Sequence, residues 1–169
     1  LSIKNGPKRA KLTENAMAHR IDFESLFSLK GRIALISGAS SGLGEHFAQV
    51  LSGAGAHVVV AARRSDKLTS LVQMLRDQGG KADPITMDVT LRESVRDAFE
   101  TFDAQFSQLD ILVNNAGIAN PPLRFVDATE DDWAPVLDVN LTGAWRVAQA
   151  AARRMKQQHS GNIVNTGSI

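Results

Sequence analysis

Cysteine is absent from the 169 residues. Disulfides and thiolate zinc sites are thereby excluded, and the reducing cytoplasm becomes the expected compartment. Tyrosine is absent as well, so no phenol is available as a proton donor or acceptor. No apolar run is long enough to span a bilayer, and no signal-peptide core stands near the start. Neither sign of charge is in surplus. The formal net charge is +1, which gives no electrostatic case for a nucleic-acid or membrane partner. His19, His46, His57 and His159 are scattered without metal-ligand spacing, so no metal site is expected. Internal repeats, low-complexity tracts and dividing linkers are also missing. What remains, 43% hydrophobic and 22% charged residues, is the composition of one globular domain with a real core.

The most informative stretch is Arg32 to Gly44. The apolar run Ile33–Ile36 stops in small residues, glycines follow at 38, 42 and 44, and an apolar helical pattern then begins. This spacing predicts a strand, a tight loop and a helix. Such a loop presents backbone N–H groups at a helix N-terminus, where positive partial charge gathers and the pyrophosphate of a dinucleotide can sit. Gly38 would turn the chain out of the strand, Gly42 would let the backbone approach the phosphates, and Gly44 would let the helix pack close to the sheet. A flexible turn would show the same glycines, so the motif needs the rest of the chain.

Strand and helix patterns then alternate. Leu43, Phe47, Val50, Leu51 and Ala54 recur at helical spacing, with Gly53 and Gly55 as the stop. His57–Ala62 reads as a buried parallel strand. Leu68, Leu71, Val72 and Leu75 mark a helix ended by Gly79-Gly80. Ala82–Met87 is a strand that Pro84 assigns to a sheet edge. Thr90 to Glu93 has capping-box spacing, and Val95, Ala98, Phe99, Phe102 and Phe106 form a core-facing stripe behind it. Asp110–Val113 is the fourth strand, and Thr129 to Asp132 cap a helix that Pro135 should kink or shorten. Leu141, Ala144, Trp145, Ala148, Ala151, Ala152 and Met155 mark a long amphipathic helix before a fifth strand over 161–166. This rhythm predicts an α/β fold, a doubly wound parallel sheet of Rossmann type, with ligands at the strand C-terminal ends. Phe23, Leu26, Phe27 and Leu29 are expected to cover an edge of the core. The first residue is Leu1, and Met17 opens a plausible coding start. Residues 1–16 are therefore expected to be a disordered leader or tag, and 17–169 a dinucleotide-binding domain truncated after its fifth strand.

The end of the second strand selects the cofactor. A carboxylate there would accept from the adenosine ribose hydroxyls of NAD(H) and repel a 2′-phosphate. Ala62 stands at that point and Arg63-Arg64 follow. A guanidinium fork matches a phosphate, so NADP(H) is favoured over NAD(H), unless both arginines are merely solvated. Asp88 either accepts from the adenine amino group or is a helix-entry residue. Asn115, Ala116 and Gly117 end the fourth strand on a narrow backbone that lets a ribose come close. Asn114 reads as a buried amide bridging neighbouring strands.

Ser37 to Gly44, Asn114-Asn115-Ala116-Gly117, Asp138 to Gly143 and Gly161 to Ser168 resemble, in order, the motifs of the short-chain dehydrogenase/reductase family. The resemblance covers about residues 28–169. It implies an oxidoreductase moving a hydride between NADP(H) and a small alcohol or ketone. It further implies that Gly38, Ser40, Ser41, Leu43 and Gly44 contact the cofactor's phosphates and ribose, and that Asp88 and Val89 flank its adenine. Asn140 resembles the catalytic asparagine that supports a water in the proton relay. Ser168 resembles the catalytic serine that hydrogen-bonds the substrate carbonyl. The family's general acid is a tyrosine with a lysine four residues later, on the helix after the fifth strand, and this chain has neither there. Little reductase activity is therefore expected of these 169 residues alone. The helix over 141–158 resembles a subunit-contact helix of the family, although it reads equally as packing on its own sheet; the parent is expected to be a homodimer or homotetramer. Two rival readings stand: a non-catalytic dinucleotide-binding or interaction protein, and a family member acting as epimerase or dehydratase.

Overall fold

A computed structural model describes residues 23–120, 122 and 124–167. The expectations for residues 1–16, Met17 and Ser168 lie outside the described residues. Five strands form one parallel sheet: β1 (Ile33–Ser37), β2 (His57–Ala62), β3 (Lys81–Thr86), β4 (Ile111–Asn114) and β5 (Asn162–Asn165). Their spatial order is β3-β2-β1-β4-β5. Side chains alternate across each strand, and both faces of the sheet are covered. Ala34, Ile36, Val58, Val60, Ala82 and Val113 meet Ala48 of α2 (Gly42–Gly53) and Leu68, Leu71, Val72 and Leu75 of α3 (Ser65–Asp77). On the other face, Leu35, Val59, Ala61, Ile85 and Leu112 meet Val95, Phe99 and Phe102 of α4 (Arg92–Gln105) and Val147, Ala151 and Met155 of α6 (Ala144–Gln157). Burial on both faces explains the near-continuous apolar runs of β1 and β2. Pro84 lies in β3, the edge strand, where its missing N–H leaves no ladder bond unmade.

Several patterns resolve differently from the sequence. The apolar stripe of α2 is not the buried face: Leu43 and Val50 are exposed, while Gly44 and Ala48 lie against the sheet with Phe47 and Leu51 at its margins. Small residues let the helix axis approach, and the larger ones are turned out. In α1 (Phe23–Phe27) Leu26 and Phe27 are exposed, while Leu29 beyond it packs on the core; the Phe23 side chain lies outside what the structure describes. The Thr90–Glu93 capping box does not form. Leu91 stands at the N-cap of α4 without a side-chain cap bond, because Asp88 engages Thr90 first: its Oδ1 accepts from Thr90 N and Thr90 Oγ1 at 2.9 and 2.7 Å.

The box at Thr129 does form. Thr129 Oγ1 accepts from Asp132 N at 3.2 Å, and Asp132 Oδ2 accepts from Thr129 N at 3.0 Å, opening α5 (Glu130–Leu137). α5 is short, as Pro135 predicts. Rather than ending, it passes into a π-turn, Asp138–Gly143, and on into α6. Leu141 and Trp145 are exposed and face away from the sheet. Asn114 bridges as expected: its Nδ2 donates to Ala144 O at 2.8 Å and to Asn165 Oδ1 at 3.0 Å. Among the described residues no helix is long and apolar enough to cross a membrane.

Candidate functional site

The chain winds from β1 through α2 and α3 on one face, then returns through α4 on the other. The connections after β1 and β4 therefore part to opposite sides, and a cleft opens at their C-terminal ends. It measures about 360 Å³. The loop after β1 lines it with Gly38, Ser40, Ser41 and Leu43, the end of β2 with Ala62, Arg63 and Arg64, and the end of β3 with Met87, Asp88 and Val89. The end of β4 adds Asn115, Ala116, Gly117 and Ile118, and the π-turn adds Val139. Residues predicted from four separate stretches thus converge. Gly42 and Gly44 stand in the first turn of α2, and neither lines the cleft.

The loop is held from below by Ser37, a residue to which the sequence assigned no role. Its buried Oγ accepts from Asn115 N at 2.9 Å and Ala116 N at 3.0 Å, fastening the ends of β1 and β4 together. Asn115 Nδ2 returns a bond to Ser37 O at 3.2 Å. A hydroxyl as the last residue of an otherwise apolar strand was the available signal, since a buried hydroxyl needs a partner. Gly38 has φ +68, and a Cβ there would stand 2.7 Å from Ala116 Cα. A Cβ on Gly44 would collide with Gly38 O. Above Gly42 the space is open, with nothing within 4 Å of the corresponding Cβ position. Ser41, the N-cap of α2, makes no cap bond with its side chain, so the first-turn N–H groups keep their polarity for a ligand. A crowded base, open space above and uncapped helix donors together suit the phosphates of a dinucleotide.

The two arginines behave differently. Arg64 donates from Nη2 to Ser40 Oγ and Ser41 Oγ, both at 2.9 Å, and from Nε to Ser40 Oγ at 3.3 Å. Arg63 lines the cleft without a hydrogen-bond or ion-pair partner among the described residues. Asp88 serves the entry to α4, the second of its two expected readings, and it also lines the cleft. Oδ1 serves that turn, and the Asp88 N–H donates to Ser94 Oγ at 2.9 Å.

Asn140 does not line the cleft. Its Oδ1 accepts from Ile118 N and its Nδ2 donates to Ile118 O, both at 2.8 Å, so the whole amide is matched to one backbone unit of the cleft wall. Arg146 of α6 ties the wall from the other side. Its Nη1 donates to Thr90 O at 2.7 Å, Val89 O at 3.2 Å and Asp138 Oδ1 at 3.3 Å. Neither Ile118 nor Arg146 was identifiable beforehand, because each contact joins segments far apart in sequence. π-turns concentrate at functional sites, and this one carries both Asn140 and Val139.

The model of the short chain dehydrogenase family matches residues 32–169. The chain is 36% identical over 141 residues to a 3-oxoacyl-(acyl-carrier-protein) reductase of Thermotoga maritima, covering 83% of this chain and 57% of that protein. A short-chain type dehydrogenase/reductase of Mycobacterium marinum superposes with a TM-score of 0.81 at 41% identity, covering 85% of this chain and 57% of that one. A gluconate 5-dehydrogenase of Burkholderia cenocepacia, solved in complex with NADP and tartrate, superposes with a TM-score of 0.77 at 41% identity, covering 82% and 54%. The chain belongs to the short-chain dehydrogenases. It spans just over half the length of these relatives.

Proposed function

We propose that these residues form the NADP(H)-binding part of an oxidoreductase that interconverts a small ketone and its alcohol. The observation that carries the reading is Arg63. It stands without a partner at the end of β2, beside Ala62 where a carboxylate would disfavour a 2′-phosphate, and it opens into the same cleft as the glycine loop. Gly38, Ser40, Ser41 and Leu43 take the pyrophosphate and its ribose at the start of α2, where Gly42 leaves open space for the phosphates and Gly44 allows the close packing behind them. Arg63 supplies positive charge opposite the 2′-phosphate, and Arg64 lines the cofactor cleft beside it. Asp88 and Val89 flank the adenine, and Asn115, Ala116 and Gly117 give a cofactor ribose a narrow wall. NADP(H), when bound, supplies or accepts the hydride.

The remaining roles belong to this chain's own groups. Asn140 holds Ile118, and with it the wall where the substrate would lie. Ser168 donates a hydrogen bond to the substrate carbonyl, and a donor placed beforehand stabilises the alkoxide that develops there. The unit that binds the dinucleotide takes in residues 17–169, and the whole protein works as a homo-oligomer. The NADP bound to the Burkholderia relative supports the choice of cofactor.

Calorimetric titration of the purified chain with NADPH and NADH tests the reading. NADPH should bind the more tightly, and Arg63→Asp should reverse the preference by about 10- to 100-fold through lost attraction and added repulsion. Equal affinities in the unsubstituted chain, or an unchanged ratio in the variant, would sink it.

A further inference from the structure

We infer that Arg64 is a positioning residue for the glycine loop and that Arg63 alone reads the 2′-phosphate. This rests on the proposed NADP(H) function. The two residues are adjacent in sequence, but the chain bends at Arg63, just past the end of β2, and only Arg64 reaches the serines of the glycine loop. Arg64 stands at the N-cap of α3 without a side-chain cap bond of its own. Its side chain instead crosses to the start of α2. There Nη2 holds Ser40 Oγ and Ser41 Oγ at 2.9 Å and reaches Ser40 O at 3.4 Å, and Nε adds Ser40 Oγ at 3.3 Å. The guanidinium therefore clasps both serines of the loop. Arg63 has no such engagement among the described residues.

The consequence follows from what the two cofactors share. A loop that presents backbone N–H groups to a pyrophosphate loses conformational freedom on binding unless it is already ordered. Arg64 orders it in advance. NADPH and NADH carry the same pyrophosphate, so the gain is common to both. To fork onto a 2′-phosphate with Nε and Nη2, Arg64 would first have to release the serines. Arg63 would release nothing, so the contact that distinguishes the cofactors falls to it.

The test is a set of calorimetric titrations of the 169-residue chain with NADPH and NADH. Arg64→Ala should weaken both cofactors by the same factor, about three- to tenfold, as lost preorganisation does. Arg63→Ala should weaken NADPH alone. Replacing Ser40 and Ser41 together by alanine should weaken both cofactors at least as much as Arg64→Ala does, since it also removes hydroxyls beside the pyrophosphate, and adding Arg64→Ala to that pair should cost little more, because the three groups act as one unit. Arg64→Gln, which keeps one donor, serves the same comparison if the alanine variant does not fold. Selective loss of NADPH in the Arg64 variants would overturn the assignment by placing Arg64 on the phosphate. So would no loss at all, or a loss fully additive with that of the serines. A chain that binds NADPH and NADH equally, yet weakens equally for both in the Arg64 variants, would overturn the NADP(H) reading and leave the positioning role standing. A chain that binds neither overturns both.

Discussion

Gly38 lies where two constraints meet. Its φ of +68 is a conformation that L side chains rarely adopt, and a Cβ would stand 2.7 Å from Ala116 Cα and 3.0 Å from Ala116 N. Neither neighbour is free to move. Ala116 N is held at 3.0 Å by Ser37 Oγ, which also holds Asn115 N. Gly38→Ala therefore strains the loop and wedges β1 from β4 at once. We expect a loss of about 1–3 kcal/mol in stability, the usual cost of a residue forced into such backbone. Urea unfolding of the variant measures it, and stability equal to that of the unsubstituted chain would refute the account. Gly42 has a similar backbone, φ +60, but open space around it. One glycine is required by packing as well as by the turn, the other by the turn alone.

The helical segment from Glu130 to Gln157 shows how local chemistry and long-range contacts divide the work. Its start is local. The Thr129 hydroxyl donates to Asp132 Oδ2 at 2.6 Å and the Thr129 N–H donates to the same oxygen, and these bonds hold the Asp132 carboxyl below the ordinary aspartate value. A carboxyl whose folded value is depressed stabilises the fold above its unfolded value. That contribution disappears as the pH falls through the folded value. Thr129→Ala should accordingly lower the thermal midpoint at neutral pH, and the gap between variant and parent should narrow in the acidic carboxylate range to what the bond from Asp132 N to the hydroxyl contributes. A gap unchanged between neutral and acidic pH would separate the cap from Asp132.

The capping box at Thr129 was legible in the sequence because all its parts lie within four residues. The box at Thr90 had the same spacing and failed, because Asp88 lies nearer to Thr90 than Glu93 does and takes its N–H and hydroxyl first. The strands were legible from their apolar runs, and the edge position of β3 from Pro84. The buried side of α2 was not: periodicity marks a stripe, but close approach of Gly44 and Ala48 to the sheet turned Leu43 and Val50 outward. The glycine loop, both arginines and Asn115–Gly117 could be assigned to one cleft from their places at strand ends. Ser37, Ile118 and Arg146 could not, since what they do depends on partners 56 to 79 residues away or on a contact from Asn140.

Taken as a whole, the molecule is a sheet with two filled faces and one working edge. Few of the residues that meet at that edge can move a proton. The described histidines, His46, His57 and His159, do not line the cleft. Asp88 does, but its Oδ1 is engaged by Thr90. No tyrosine occurs among the 169 residues. Reduction of a ketone develops negative charge on oxygen, and a positioned acid typically contributes about 10²–10⁴-fold by protonating it. Without one, the proton must come from solvent, which is neither held nor matched in acidity to the alkoxide. The 169-residue chain should therefore bind NADPH and yet oxidise it no faster in the presence of reactive ketones than in their absence. Following NADPH absorbance with a panel of small and activated ketones decides the matter. Turnover above the ketone-free rate would mean that a group already in this cleft supplies the proton, and Asp88→Asn would then show whether the carboxyl at the end of β3 is that group.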